Sequence, residues 1–389
     1  AGPVTVQLHP GPLPRLSADV AALLLGAPLA LHAEADLAAQ TATVHFDGAL
    51  SPATRRRIAD LLRSLPLFLT RDDLQAALTA QRDWYAAELT RVHQLPASTA
   101  SVTLANGYKT SLPAHAPRGI FLDLKVSAAA PHWLSAAGLG DSLCRPTAQV
   151  EWWASHRLFD TFYSGVPYTL IGGNEQAMID SAAGLKTHDI AANGHLHRVL
   201  TLCGLGVCFT GVSHHGSMGE HQVSHWIDMF AGDKHPGSTH GQQVGVASLA
   251  IARLHHELLA MDQPPLIKAT HIEEKEFIAR YGEAIGSMCY AEAKKKSFDR
   301  AGAEAFNKKL SQIWPQLREE LRPMLMDPAK MKATLAAAGG PTTATELGLD
   351  RKVWRDAMKH ARDVRNRWSF LDLADDAGLL DEFLARDEQ

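Results

Sequence analysis

From about Pro131 to its last residues the chain carries the spacing of helices and little that reads as strand. Glycine or proline breaks it at Gly138–Gly140, Gly172–Gly173, Gly204–Gly206, Gly211–Gly219, Gly232–Gly241, Pro264–Pro265, Pro328 and Gly339–Pro341. These residues are the strongest local punctuation a sequence has. Helices of ordinary length are expected between them, such as Val244–Met261 and Glu273–Lys295. A chain so patterned must bury helix against helix.

Before that point the pattern differs. Ala42–Phe46 and Gly119–Leu124 read as strands, being short, apolar and flanked by turn residues. Ser51–Leu65 has a Ser-Pro start and an amphipathic run, so it reads as a helix. Thr70–Val92 opens with Thr and two Asp, which suit a helix N-terminus. Asn106-Gly107, inside Val102–Leu112, is a hairpin signal. Strand and helix alternation predicts an α/β layer. The organisation expected is an α/β domain over 1–130 and an all-helical domain over 131–389.

Composition closes off several function classes. With 38 basic and 42 acidic residues the net charge is −4, so no basic excess points to nucleic acid. Four cysteines among 389 residues do not make a disulfide scaffold or a paired CxxC zinc site. No segment reaches the roughly 18 apolar residues a membrane helix needs. No basic stretch followed by an apolar one stands at the start, so no signal peptide is expected, and a cytoplasmic location is. Histidine is the unusual count: 20 in all, with 11 between His188 and His256.

Within that region His221, His225 and Asp228 stand at i, i+4 and i+7, on one face of a helix. His240 follows in Ser238-Thr239-His240-Gly241. Imidazole is the commonest protein ligand for zinc-like ions, and a catalytic site keeps three protein ligands and one open position. Gln222 after the first His rules out the HExxH pattern. A histidine-rich surface helix is the plain alternative. His214, His215 and His235 read as loop histidines. A carboxylate is available at Asp141, which is expected to open a helix over Ser142–Phe159, where it would equally serve as an N-cap. Arg145, four residues on, shares its face and could hold an anionic group or pair with Asp141.

Several stretches together resemble one family. Gly138-Leu139-Gly140-Asp141-Ser142-Leu143-Cys144-Arg145-Pro146-Thr147-Ala148 with Glu151-Trp152 resembles the AGxGDxxxKxTAxxDW stretch of the sn-glycerol-1-phosphate dehydrogenases, the AraM-like group. These belong to the iron-containing alcohol dehydrogenase and dehydroquinate synthase-like superfamily. Gly219–His225 resembles that family's SEHxxSH, and His240–Val246 its HGEQVGV. Pro113–Pro117 with Phe121–Leu124 resembles its strand before the metal helix, and Arg365–Leu373 its late RxRYTxLDLA. The resemblance covers roughly residues 100–389 in order.

The resemblance implies a Rossmann-like N-terminal domain, here reduced or incomplete, and a helical domain that binds metal and substrate. It implies metal ligands at Asp141, His221 and His240 for one divalent ion, Zn²⁺ or Ni²⁺, and NAD(P) as cofactor. His225 would relay a proton and Arg145, in place of the family's Lys, would face a substrate phosphate. The reaction implied interconverts dihydroxyacetone phosphate and sn-glycerol 1-phosphate, or a related polyol phosphate. The partners implied are a small phosphorylated substrate and a second copy in a homodimer, with no nucleic acid and no membrane.

The chain also departs from the family. Its pyrophosphate loop is glycine-rich, because only glycine lets backbone N–H groups approach closely. No glycine stands between Gly48 and Gly107. Gln242 replaces a Glu of the family pattern. Two explanations follow. In one, dinucleotide binding is lost and the chain is a non-redox sugar-phosphate cyclase or lyase, or a metal-binding protein without turnover. In the other, a discontinuity lies between Leu65 and Ser101, where consecutive residues are not covalently adjacent.

Overall fold

The computed structural model describes residues 101–387, less His115, Arg118 and the side chain of Pro113, and the backbone of 4–7, 31–36, 41–46 and 98–100. The helices expected over Ser51–Leu65 and Thr70–Val92 lie outside the described residues, as does the proposed discontinuity up to 97. The chain divides into two compact units, Ala1–Pro96 and Ala97–Gln389. That division falls ahead of the expected one at 130.

In the first unit the described strands are β1 (Val4–Gln7), β2 (Leu31–Asp36) and β3 (Thr41–Phe46), the last including the expected Ala42–Phe46. Their order is β1-β3-β2 and both pairings are antiparallel, with Val4 opposite Val44 and Ala33 opposite Val44. A Rossmann-like sheet is built on parallel pairs. None occurs among these three strands.

The second unit begins with a hairpin, β4 (Ser98–Thr103) and β5 (Lys109–Ala114). Its loop is three residues rather than two. Leu104 and Tyr108 still bond across it, and Gly107 takes φ +86°, the left-handed conformation that closes a three-residue loop. Asn106 lies beside it and its side-chain oxygen accepts the Tyr108 N–H. Tyr108 is buried and donates its hydroxyl to the Val364 carbonyl, which anchors the hairpin to the helical unit.

Gly119–Leu124 is not a strand, contrary to expectation. Residues 119–123 are irregular and exposed, and among the described residues no strand pairs with them. Asp123 caps the next helix by accepting the N–H groups of Lys125 and Val126.

From Leu124 to Arg386 the unit is helical. In order come α1 (Leu124–Ala129), α2 (His132–Leu143), α3 (Arg145–Phe159), α4 (Val166–Ile171), α5 (Asn174–Asp180), α6 (Ala182–Lys186) and α7 (Ile190–Thr210). Then follow α8 (Gly219–Phe230), α9 (His240–Ala260), α10 (Glu274–Tyr281), α11 (Glu283–Lys294) and α12 (Arg300–Leu321). The last are α13 (Pro328–Ala337), α14 (Arg351–His360), α15 (Phe370–Asp376) and α16 (Leu380–Arg386). The helix expected over Glu273–Lys295 is two, divided at Gly282, whose φ is +79°. Gly138–Gly140 and Gly204–Gly206, read as breaks, lie inside α2 and α7.

The glycines of α2 are there for another reason. A Cβ on Gly140 would stand 2.3 Å from the Gly241 carbonyl oxygen, and one on Gly241 would stand 2.1 Å from that of Ala137. Helices α2 and α9 therefore cross backbone to backbone. This contact brings the end of α2 against the start of α9, and α9 is buried along most of its length. Two apolar clusters flank the crossing. One gathers Leu139, Leu143, Leu196 and Leu249. The larger centres on Phe306, Trp314, Trp354 and Phe370.

Candidate metal centre

Three elements supply the site. Asp141 lies in the last turn of α2, not at the mouth of a helix over Ser142–Phe159 as expected, since α3 starts only at Arg145. His221 lies in the first turn of α8 and His240 is the first residue of α9. The donor atoms of all three lie within 4.8 Å of one another. Asp141 Oδ1 is 3.3 Å from His221 Nε2 and 3.7 Å from His240 Nε2. Ligand atoms at ~2.1 Å around a tetrahedral ion stand about 3.4 Å apart, so these gaps are close to what an ion requires.

The outer nitrogens of both rings are held. His221 Nδ1 lies 3.0 Å from Glu220 Oε1, and Glu220 is fully buried and also accepts the Met218 N–H. His240 Nδ1 lies 2.7 Å from Ser224 Oγ, whose hydroxyl donates to Gln243 Oε1 at 2.7 Å. With Nδ1 donating in each ring, both Nε2 atoms face Asp141. This arrangement fixes tautomer and orientation in histidines that ligate metals. Asp141 Oδ1 is buried and has no hydrogen-bond partner. The donor set therefore fits one divalent ion.

The same closeness unbalances the ring charges. Burial disfavours the charged form of His221, but the Asp141 and Glu220 carboxylates against its two ring nitrogens outweigh it and raise its pKa to about 9. Burial, then the charge on His221, lowers His240 to about 4. Burial would raise Asp141, but the neighbouring His221 outweighs it and Asp141 is lowered.

A cavity of about 210 Å³ opens beside the three residues. His225 lines it, 6% exposed, with its ring 5.7 Å from that of His240 and Nδ1 buried without a partner. Burial, then the charge on His221, holds His225 well below the usual imidazole range, so it is neutral at pH 7. Asp228, on the same helix face, bonds Lys109 and His235 instead of joining the cluster.

Arg145 does not line this cavity. It is buried and its Nη2 bonds Glu175 Oε1 at 2.5 Å. Arg365 and Arg367 do line it. Arg365 donates from Nη1 to the Lys109 carbonyl and leaves Nη2 buried without a partner. Arg367 donates to the Ser217 carbonyl and to Ser213 Oγ. Neither meets a carboxylate among the described residues. Burial, then the charge on Arg365, pushes Arg367 down to about 10.

Sequence reasoning did not single out Ser224, Gln243, Arg365 or Arg367. Ser224 is three residues after His221, on its helix face, which is the signal that could have found it. Gln242, which replaces a Glu, accepts the Thr239 N–H in a capping box, a job either residue performs.

No family model matches the chain. It is 27% identical over 286 residues to the glycerol-1-phosphate dehydrogenase [NAD(P)+] of Bacillus velezensis, covering 73% of this chain and 61% of that one. The proteins of the same name from Haloquadratum walsbyi and Bacillus subtilis are 26% and 28% identical, over 67% of this chain and 55% and 56% of theirs. The chain thus spans little more than half the length of the curated relatives it matches. Over two thirds or more of its length the chain is thus similar to glycerol-1-phosphate dehydrogenases, with the motifs carried in their order.

Proposed function

We propose that the chain is a metal-dependent, NAD(P)-linked oxidoreductase that interconverts dihydroxyacetone phosphate and sn-glycerol 1-phosphate. The observation that carries this reading is the meeting of Asp141, His221 and His240 beside a small cavity lined by two arginines without carboxylates. The relatives' names favour this reaction over a non-redox cyclase or lyase.

Asp141 Oδ1 and the two Nε2 atoms would hold Zn²⁺ or Ni²⁺. When bound, such an ion supplies Lewis acidity toward a carbonyl or alkoxide oxygen. Glu220 and Ser224 keep the rings aimed. Arg365, whose Nη2 is buried without a partner, takes the substrate phosphate, the role expected of Arg145; guanidinium suits a phosphate because its N–H groups form a planar fork. The cavity lies below the roughly 300–1,000 Å³ of drug-sized ligand sites, which suits a three-carbon substrate. His225, neutral and lining the cavity, is placed to pass a proton between the substrate oxygen and solvent. A Rossmann-like dinucleotide domain in the first unit belongs to this proposal, as do a homodimer and a cytoplasmic location. No glycine-rich phosphate turn occurs among the described residues, so no step is attached to the nicotinamide. Among the described residues no helix is long and apolar enough to cross a membrane.

The test is NADH and NADPH oxidation at 340 nm with dihydroxyacetone phosphate, in zinc- and nickel-loaded protein. Turnover that Asp141→Ala abolishes is expected. Metal-loaded protein that oxidises neither nucleotide would overturn the reading.

A further inference from the structure

A second cavity, of about 520 Å³, shares Arg367 and Met218 with the first and otherwise has its own walls. Those walls are aromatic: Trp152, Phe159, Phe162, Phe298 and Trp368. They pack in two groups, with Phe159 5.4 Å from Trp368 and 6.2 Å from Phe298, and Trp152 6.0 Å from Phe162. Phe162 is 57% exposed, an apolar ring left toward solvent at a cavity whose tryptophans are buried. The volume lies within the range of small-molecule sites, which are mostly apolar with a few placed polar groups.

The placed polar groups here are cationic. Lys295, Lys296 and Arg367 line the cavity and no carboxylate does. Glu292 compensates Lys295, and Asp372 compensates Lys296 at 2.9 Å. Arg367 alone has only neutral oxygens, so one positive charge is left over. His214 also lines the cavity, with Nδ1 buried and unpartnered. Burial, then the charges of Arg367 and His215, keeps that ring neutral, with a pKa of about 3. One unmatched guanidinium, a neutral imidazole beside it and flat apolar walls define a ligand by its chemistry.

We propose that this cavity binds a flat aromatic molecule bearing a single carboxylate, its ring between the aromatic walls and its carboxylate on Arg367. Aromatic faces favour offset or edge contacts with such a ring. A guanidinium takes a carboxylate through two parallel N–H bonds.

Calorimetric titration of the full chain with 1-naphthoate tests this, with 1-naphthalenemethanol as its neutral match. Naphthoate should bind one site at least about tenfold more tightly than the alcohol, the factor a charge-assisted hydrogen bond supplies. The zinc-loaded and metal-free proteins should give the same affinity. Phe162→Ala, a change at an exposed side chain, should weaken naphthoate several-fold and leave zinc content unchanged. Equal affinity for acid and alcohol, binding that requires zinc, or no effect of Phe162→Ala would each overturn the proposal. None of these readouts depends on turnover, so the proposed dehydrogenase reaction can fail while this stands.

Discussion

At the residue scale the candidate centre depends on hydrogen bonds one atom removed from the donors. Ser224 Oγ occupies the Nδ1 side of His240 and donates its hydroxyl hydrogen bond to Gln243 Oε1. Ser224→Ala would leave the ring free to turn and its Nδ1–H unsatisfied. Partners of this kind are worth roughly 10–100-fold in metal affinity. Ser224→Ala should therefore weaken zinc by about that factor, read by competition with a chelating dye. His221→Ala should lose the metal outright, measured by elemental analysis, while the far-ultraviolet circular dichroism keeps its helical signal. The three donors were legible because family motifs carry each in a recognisable stretch. Their supports were not, because a serine three residues from a histidine looks like any polar helix residue until α9 supplies the partner. Arg145 misled for the opposite reason: its spacing from Asp141 was right for one helix, but the two residues stand on different helices.

At the scale of elements, glycine was the residue most easily misread. Sequence treats it as a break, and at Gly211 it is one, with φ of +71°; Gly282, at φ +79°, breaks a stretch that reads as a single helix. In α2 and α9 it is the condition for contact. Gly241→Ala would drive a methyl group into the Ala137 carbonyl and push apart the helices that carry Asp141 and His240. Overpacking of this kind costs about 1–3 kcal/mol. Gly204 gives the contrast. It is exposed, lies inside α7, and a Cβ there meets nothing within 4 Å. Gly204→Ala should raise stability by about 0.5–1 kcal/mol, because alanine restricts the unfolded chain and glycine in a helix does not. Urea midpoints of the two variants should move in opposite directions, and only Gly241→Ala should lose zinc. No sequence pattern separates these glycines. The partner helix does.

At the scale of the whole molecule, the helical unit was legible in outline because its apolar spacing runs for most of the chain. The boundary before it was not, because Tyr108 and the hairpin read as part of an α/β layer, and it is the bonds of Tyr108 to Val364 and of Lys109 to Asp228 and Arg365 that tie them to the helices. The histidine count has a consequence at the same scale. His215 has no exposure, bonds the Cys203 carbonyl through Nε2, and leaves Nδ1 without a partner. Burial outweighs that bond and, with the charges of Arg145 and Arg367, lowers its pKa from 6.5 to about 4. The folded chain thus holds this ring neutral where the unfolded chain would protonate it. Between pH 6.5 and 4 the unfolded state binds more protons, so stability is present above pH 6.5 and is lost as pH falls through that window. One such ring is worth roughly 2 kcal/mol between pH 7 and 4.5, at about 1.4 kcal/mol for each unit between the two pKa values. His215→Gln does not titrate there. Its unfolding free energy in metal-free protein, followed by circular dichroism in urea, should change less between those two pH values than the parent's by about that amount. An equal loss in both proteins would mean that this ring already carries its proton in the folded chain.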